Sequence, residues 1–205
     1  MIIATDLEGV LIPELWVEIA EFYGIEELKK TTRDISDFEE LMNYRIRILR
    51  REGLKLSDLQ KVTRQVMAYP GSMEFLSWCR RQGQVIIISD TFHELSDPLV
   101  WDMGGFNLFA NRFTVDGQGK INGFKLRIRG MKWNILEKLG EIGFYIVALG
   151  DSYNDLSMLR KADKGLLYNP PAALKEEYSQ FPTLDSYEKI RETVLNLPNL
   201  DEISP

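Results

Sequence analysis

The chain has 205 residues, of which 44% are hydrophobic and 27% charged, and its formal net charge at pH 7 is -6. This composition is typical of a globular protein with one sizeable core, and the acidic excess gives no general attraction to nucleic acid or anionic membranes. The single cysteine, Cys79, excludes an internal disulfide and suits a reducing compartment. Since nothing resembles a signal peptide or a membrane span of ~20 apolar residues, we expect a cytoplasmic protein without membrane or nucleic-acid partners.

A short apolar run opens the chain and ends in two carboxylates. Residues 2–5 read Ile-Ile-Ala-Thr, and Asp6, Glu8 and Gly9 follow closely. A buried strand of a parallel sheet is a continuous apolar run, and sites in open α/β sheets lie beyond the carboxyl ends of such strands. Packing explains two acids at this place poorly, although acids also begin ordinary loops. We predict that Asp6 is a nucleophile or metal ligand and that Glu8 is its acid–base partner.

A helical region follows the first strand. Between residues 13 and 69 the apolar residues recur at helical spacing and no convincing strand is present, and Pro70-Gly71 then breaks the pattern. We therefore predict a small helical cap over residues 13–69, inserted after the first strand of a core. The predicted core consists of residues 1–12 and 70–205.

From Ser72 onward, strand and helix patterns alternate along the chain. This alternation predicts an α/β fold with a doubly wound, mainly parallel sheet. The strands predicted here cover residues 85–88, 109–115, 124–128, 145–149 and 165–168. The helices predicted here cover residues 73–81, 96–103, 131–139 and 156–161.

Two later aliphatic runs also end in polar residues, with Ser89 after one and Asp151 and Asp155 after the other. In a parallel sheet these ends share one edge with the first two acids. Clustered carboxylates repel each other unless a cation compensates them, and Mg²⁺ suits such an oxygen-rich site. Ser89, predicted at a helix N-terminus, can donate to phosphate, and Lys132 supplies positive charge. The pattern predicts phosphoryl transfer to a carboxylate, with Mg²⁺ as cofactor.

These motifs together resemble those of the haloacid dehalogenase-like phosphohydrolases. The matching segments are Asp6-Leu7-Glu8-Gly9-Val10, Ser89, Lys132 and residues 150–155, in the family's order and spacing. More narrowly, the chain is similar to the phosphoserine phosphatases. Within them it resembles the branch that also transfers the phosphoryl group to homoserine, which likewise opens with Asp-Leu-Glu-Gly and carries Ser-Asp-Thr-Phe. The resemblance implies a Rossmann-like core, bound Mg²⁺ and a small phosphorylated amino acid as substrate.

The resemblance also implies a role for each matching residue. Asp6 would be the phosphorylated nucleophile, and Glu8 would be the acid–base residue and would offer its backbone carbonyl to Mg²⁺. Asp151 would complete the protein ligands of the metal, while Asp155 would support the site through Lys132 or metal-bound water. The residues implied to bind substrate are Glu14, Arg45, Ser89, Asp90, Thr91, Lys132 and Asn154.

Two cap residues would recognise the amino-acid part of the substrate. In the family, a cap glutamate binds the ammonium group and a cap arginine binds the carboxylate, and Glu14 and Arg45 align with these. Phe38 and Met42 would form apolar lining nearby. An opposed pair of charges suits a zwitterion, and arginine binds a carboxylate in a bidentate manner. The alternative is that Glu14 and Arg45 belong to a solvated helix face.

The sequence departs from the family pattern at two places. Glu8 stands where the wider family has aspartate, so its carboxyl is shifted by one methylene. Ser89 is followed by Asp90 and Thr91, where phosphoserine phosphatases usually carry two glycines. Because an acid beside a phosphate pocket is costly without a cation, we hypothesise that Asp90 binds the ammonium group of an acceptor alcohol. An unchanged ratio of transfer to hydrolysis in Asp90→Gly would contradict this hypothesis.

Several alternatives remain at this level. Lys125 and Lys138 are less well placed candidates for the catalytic lysine, and Ser89 alone would be read as a helix cap. The substrate could be another small phosphomonoester. The chain could instead be a signalling receiver domain or a non-catalytic protein on the same fold, although the acid at position 8 and the cap argue against a receiver. The oligomeric state stays open, a homodimer included, and the four tryptophans are interpreted as packing residues.

Overall fold

A seven-stranded sheet flanked by helices forms the framework of the chain, and this computed structural model describes residues 1–197. The strands are β1 (Ile2–Thr5), β2 (Gln84–Phe92), β3 (Asn107–Val115), β4 (Ile121–Lys125), β5 (Ile146–Gly150), β6 (Lys164–Tyr168) and β7 (Thr183–Leu184). Their order is β4-β3-β2-β1-β5-β6-β7, and all neighbours are parallel except β3 and β4. The predicted α/β architecture with a mainly parallel sheet is thereby confirmed.

Helices cover both faces of the sheet and fill the segment after β1. The helices after β1 are α1 (Leu15–Tyr23), α2 (Phe38–Arg51) and α3 (Leu56–Thr63), with a 3-10 helix at Glu26–Lys29. The later helices are α4 (Ser72–Gln82), α5 (His93–Asp102), α6 (Met131–Glu141), α7 (Leu156–Lys161), α8 (Ala172–Glu177) and α9 (Tyr187–Leu195). Within residues 1–197, none of these helices combines the length and apolarity needed to cross a membrane.

The central strand is β1, and its side chains divide between two cores. Ile3 belongs to the cluster that also contains the buried residues of α1 and α2. Ile2 and Ala4 belong to the cluster on the opposite face, under α6 and α7. The strand order reverses at β1, because β2 and β3 extend the sheet on one side while β5 and β6 extend it on the other. Such a reversal opens a crevice beyond the carboxyl ends of the strands.

Helices α1 to α3 lie in residues 13–69, the segment for which the cap is predicted and which we call the cap segment. The chain leaves and re-enters the sheet region at adjacent points, because the Tyr69 N–H donates to the Leu11 carbonyl at 2.9 Å. The cap segment also touches the β3–β4 hairpin, where the Leu56 N–H donates to the Gly119 carbonyl at 3.0 Å. The start of α1 lies close to the end of β1, because the Leu15 N–H donates to the Glu8 carboxylate.

Three local predictions are wrong in their bounds, and one of them is α5, which begins at His93 rather than at residue 96. Ser89 lies inside β2 rather than at a helix N-terminus, because the strand continues to Phe92 and α5 begins only at His93. Phe92 is fully buried and stacks on Phe113 with ring centroids 3.8 Å apart, and such packing favours the extended form. The second hairpin strand covers residues 121–125 instead of 124–128. The turn before it ends at Lys120, whose N–H donates to the Asp116 carboxylate.

Candidate active site

Three carboxylates meet at the carboxyl ends of β1 and β5. Asp6 follows β1 directly, Asp151 follows β5, and Asp155 is the last residue of a short 3-10 helix, Tyr153–Asp155, in the connection after β5. One oxygen of each lies within 4.8 Å of the others. The parallel pairing explains this, since Thr5 is in register with Leu149 and the Asp6 N–H donates to the Leu149 carbonyl at 2.9 Å. The crevice at the strand reversal is therefore strongly acidic.

Lys132, near the start of α6, is the cation of this cluster. Its Nζ lies 2.8 Å from Oδ2 of Asp6 and 2.7 Å from Oδ1 of Asp155, and all three side chains are almost completely buried. Burial alone would lower the pKa of Lys132, but the carboxylates of Asp155 and Asp6 outweigh it and raise that pKa well above its usual value. The ammonium group therefore stays charged in the folded protein.

The two alternative lysines lie elsewhere. Lys125 is exposed at the end of β4, and Lys138 pairs with Glu141 on the outer side of α6. Only Lys132, among these three, contacts the acid that follows β1.

Asp155 fixes the loop after β5. Its Oδ2 accepts the N–H groups of Asp151 and Ser152, each at 3.0 Å, while its Oδ1 accepts from Lys132. Asp155 can lie here only because residue 150 is a glycine, since a Cβ on residue 150 would lie 2.3 Å from the Cβ of Asp155. With both of its oxygens engaged, Asp155 holds its neighbours in place rather than offering a free ligand.

Asp151 differs from Asp155 in its hydrogen bonding. Its Oδ1 is buried and finds no hydrogen-bond partner among the described residues. Burial, and then the nearby charges of Asp155 and Glu14, raise the pKa of Asp151 to about 7. Burial is also the largest reason why the pKa of Asp6 lies well above its usual value. An unpartnered oxygen among mutually repelling carboxylates fits a bound divalent cation, and oxygen ligands of this kind suit Mg²⁺.

Gly9 allows the chain to pass directly over Asp151. Its φ is +77°, and a Cβ added there would lie 2.4 Å from the carboxyl carbon of Asp151. The sequence shows this glycine, but its contact with a residue of another strand end appears only in the fold.

We expect Gly9→Ala to lower the free energy of unfolding by at least ~1 kcal/mol more than Gly53→Ala does, because overpacking adds to backbone strain. Gly53 is a matched control, since its φ is +71° and nothing lies within 4 Å of its added Cβ. Both variants carry the left-handed strain of roughly 1–2 kcal/mol, but only Gly9→Ala displaces Asp151. Urea unfolding of both variants measures the difference. Equal losses of stability would show that the Asp151 side chain moves aside without cost, and would contradict this prediction.

Glu8 turns toward the start of the cap segment. Its Oε2 accepts the Leu15 N–H at 2.9 Å, so it caps α1 from a distance. Burial, and then the charge of Glu14, raise the pKa of Glu8 to about 8, although hydrogen bonds from Thr91 and Leu15 act in the opposite direction. The Glu8 carboxyl is thus bound to the cap segment through Leu15 and to the core through Thr91.

The residues around Ser89 form the far side of the crevice. Ser89 and Thr91 are buried, and the Thr91 N–H lies 3.4 Å from the Ser89 Oγ. Asp90 is partly exposed, with its Oδ2 accepting from Asn154 Nδ2 at 3.2 Å and lying 3.8 Å from Lys132 Nζ. The structure thus brings Asp90 and Asn154 together beside Lys132, a grouping that sequence spacing does not reveal.

Glu14 and Arg45 lie on the cap side and differ in burial. Glu14 is exposed immediately before α1, whereas Arg45 on α2 is only 7% exposed. Burial lowers the pKa of Arg45 to about 10, and the charges of Glu8 and Glu14 act in the opposite direction. Arg45 is therefore not part of a solvated helix face, and Met42 is fully buried beside it.

The interpretation of all four tryptophans as packing residues is wrong for Trp101, which is 77% exposed, and Trp133 is also exposed, at 38%. Trp16 is buried as expected, but its ring also faces the guanidinium of Arg45, whose central carbon lies 4.6 Å from the ring centroid. The helical spacing of Trp16 marks it only as an apolar position of α1. No signal in the sequence pairs it with a residue of α2.

Comparison with known proteins defines the class. The model of the haloacid dehalogenase-like hydrolase family matches residues 11–160, and the chain belongs to this family. A phosphoserine phosphatase named ThrH, from Pseudomonas aeruginosa, is 40% identical over 190 residues, which are 93% of each chain. A phosphoserine phosphatase from Pseudomonas syringae pv. tomato is also 40% identical, over 95% of this chain and 82% of its own length.

Solved structures agree with this grouping. The phospho-aspartyl intermediate analogue of a phosphoserine phosphatase is 25% identical, with a TM-score of 0.78 over 94% of this chain and 97% of that chain. A phosphoserine phosphatase in its apo form is also 25% identical and gives a TM-score of 0.77. Within the hydrolase family, the chain thus groups with the phosphoserine phosphatases, as its motifs predicted. Membership of the hydrolase family argues against the receiver-domain alternative.

Proposed function

We propose that the chain hydrolyses O-phosphoserine to serine and phosphate in a Mg²⁺-dependent reaction with Asp6 as the nucleophile. The observation that carries this proposal is the buried contact of Asp6 with Lys132, beside the unpartnered oxygen of Asp151. A lysine next to a nucleophilic carboxylate stabilises the negative charge that develops on the transferred phosphoryl group. Similarity to phosphoserine phosphatases over nearly the whole chain supports the choice of substrate.

Asp6 and Glu8 divide the proposed chemistry. A carboxylate oxygen of Asp6 attacks phosphorus, and the bond from phosphorus to the serine oxygen breaks. Glu8 protonates the leaving oxygen. A water then attacks the phosphorus of the aspartyl-phosphate while Glu8 takes the proton of that water, and the bond to Asp6 breaks to release phosphate and restore the carboxylate.

Other residues hold the reacting groups. Lys132, Ser89 and Asn154 would bind the phosphoryl oxygens, and Asp155 would position Lys132. Mg²⁺, held by Asp6, Asp151 and the backbone carbonyl of Glu8, would supply charge compensation for the phosphoryl group.

Glu14 and Arg45 of the cap segment would recognise the serine part. The exposed carboxylate of Glu14 would receive the ammonium group, and the guanidinium of Arg45 would receive the carboxylate. Thr91, which hydrogen-bonds Glu8, would orient the acid at the boundary between the two parts of the substrate. The division of the chain into core and cap, with the site between them, is part of this proposal.

The test is release of inorganic phosphate from phosphoserine, with Mg²⁺ and after its removal by EDTA. We expect activity that requires Mg²⁺ and that exceeds the activity on phosphomonoesters lacking an amino-acid group. Phosphoethanolamine and glycerol phosphate serve as comparison substrates. Equal rates on all three would favour the alternative of another small phosphomonoester, and complete inactivity on the panel would contradict the enzymatic proposal.

Transfer of the phosphoryl group to homoserine is the second candidate function, and Asp90 is the residue that favours it. A carboxylate between Lys132 and Asn154 is unusual beside a phosphate site, and its partly exposed side chain can receive the ammonium group of an acceptor. Phosphoserine is supplied with and without homoserine, and free phosphate and phosphohomoserine are both measured. We expect Asp90→Gly to shift the products toward hydrolysis. An unchanged product ratio would remove Asp90 from this role.

A further inference from the structure

Arg45 is a buried cation whose guanidinium contacts neutral groups. Its Nη2 donates to the Lys30 carbonyl at 2.7 Å, and its Nη1 lies 3.8 Å from the sulfur of Met42. Its Nε is buried and has no hydrogen-bond partner among the described residues. A buried charge normally has an ionic partner, because desolvation costs more than neutral contacts return. The charges of Glu8 and Glu14 act on Arg45, but neither carboxylate forms an ion pair with it among the described residues, so its guanidinium can still take a negative group of a ligand.

The face of the guanidinium is covered by Trp16. The central guanidinium carbon lies 4.6 Å from the ring centroid, and Trp16 itself is only 6% exposed. An aromatic ring attracts a guanidinium through its face, whereas a carboxylate binds the N–H groups at its edge. The ring can therefore hold Arg45 without occupying the donors that a ligand needs. A carboxylate in the place of Trp16 would compete with the ligand for the same donors.

We propose that Trp16 is a positioning residue that makes the site selective for phosphomonoesters carrying a carboxylate. It acts through Arg45, by fixing the plane of the guanidinium and leaving its Nε–H free of a protein partner among the described residues. The identity of the substrate in this inference rests on the proposed function. Trp16 belongs to α1, two residues after Glu14, so one turn of chain carries both the ring and the proposed ammonium partner.

The test compares two substrates that differ in the carboxylate alone. Phosphoserine and phosphoethanolamine share the phosphate and the ammonium group, and the ratio of their kcat/KM values measures recognition of the carboxylate. We expect Trp16→Leu to lower this ratio about tenfold, mainly through KM for phosphoserine. Trp16→Phe, which keeps an aromatic face, should retain most of the ratio. An equal loss on both substrates in Trp16→Leu would show a merely structural role and overturn the inference.

Arg45→Lys supplies a second measurement, which separates the positioning of Arg45 from any general effect of Trp16→Leu on the fold. Lysine keeps the charge but lacks the planar group that the ring holds. In the Arg45→Lys background, replacing Trp16 with Leu should leave the substrate ratio unchanged, because the residue through which Trp16 acts is gone. A further fall in that background as large as in the wild type would overturn the inference.

The inference and the proposed function fail in different ways. A wild-type protein that does not hydrolyse phosphoserine contradicts the proposed function and the inference together. A wild-type protein that prefers phosphoserine, but whose preference is insensitive to Trp16, contradicts the inference alone. Circular dichroism of each variant confirms that the compared proteins are folded.

Discussion

Asp6→Asn is expected to lower kcat for phosphate release from phosphoserine by ~10⁴-fold or more, the scale seen when a nucleophile is removed. Asparagine keeps the shape of the side chain and can still meet Lys132, but its amide cannot form the covalent intermediate. The measurement is phosphate release at saturating phosphoserine and Mg²⁺. Asp102→Asn is the matched control, because Asp102 is exposed at the end of α5 and should leave the rate unchanged.

The same substitution should spare the fold. In the metal-free protein, one ammonium group faces Asp6 and Asp155 directly, and Asp151 lies beside them. Removing one of several crowded negative charges relieves repulsion, while Asp155 keeps its contact with Lys132. Thermal unfolding in EDTA should therefore give a Tm for Asp6→Asn that equals or exceeds the wild-type value. A marked fall in Tm would mean that the activity loss reflects unfolding, and the assignment of Asp6 would lose this support.

Lys132→Met is expected to lower the free energy of unfolding in EDTA by about 3–5 kcal/mol, the cost of breaking a buried ion pair at one partner. Methionine has a similar length but leaves the carboxylates of Asp6 and Asp155 without their cation. Urea unfolding measures the change. Lys138→Met lies on the same helix with an exposed side chain, and it should leave the unfolding midpoint unchanged.

Mg²⁺ provides a further readout of the Lys132 variant. If the carboxylates bind the metal, added Mg²⁺ should recover part of the stability lost in Lys132→Met, because a ligand that binds the folded state stabilises it. It should not recover activity, since the lysine that we propose to hold the phosphoryl group is still missing. A stability loss no larger than that of Lys138→Met, or one that Mg²⁺ leaves untouched, would contradict the proposed architecture of the site.

The strands that carry the site could be predicted because their sequence pattern is unambiguous. Residues 2–5, 85–88 and 145–149 are short aliphatic runs, and burial on both faces of a sheet leaves few other interpretations for them. The acids that follow two of these runs then had to meet at one edge. The parallel register of β1 with β5 is what converts that pattern into a cluster of carboxylates.

Other features depended on packing that the pattern does not contain. The extension of β2 past Ser89 rests on the stacking of Phe92 with Phe113, two residues from different strands. The contact of Asp90 with Asn154 depends on the conformations of two side chains far apart in the sequence. Strand β7 was not predicted, because two residues pairing at a sheet edge carry no periodic signal. Local sequence propensity predicts helices and strands better than it predicts the contacts between them.

The central position of β1 has a consequence for how the protein is made. Ile2 is synthesised well before both of its partners in the sheet, which are Gln84 on one side and Ile146 on the other. The whole cap segment and most of the core must leave the ribosome before this strand can be enclosed. Pairings so distant in sequence slow folding, because loop closure precedes the gain from contact. Asp6 is thus the first residue of the site to be translated and among the last to reach its native surroundings.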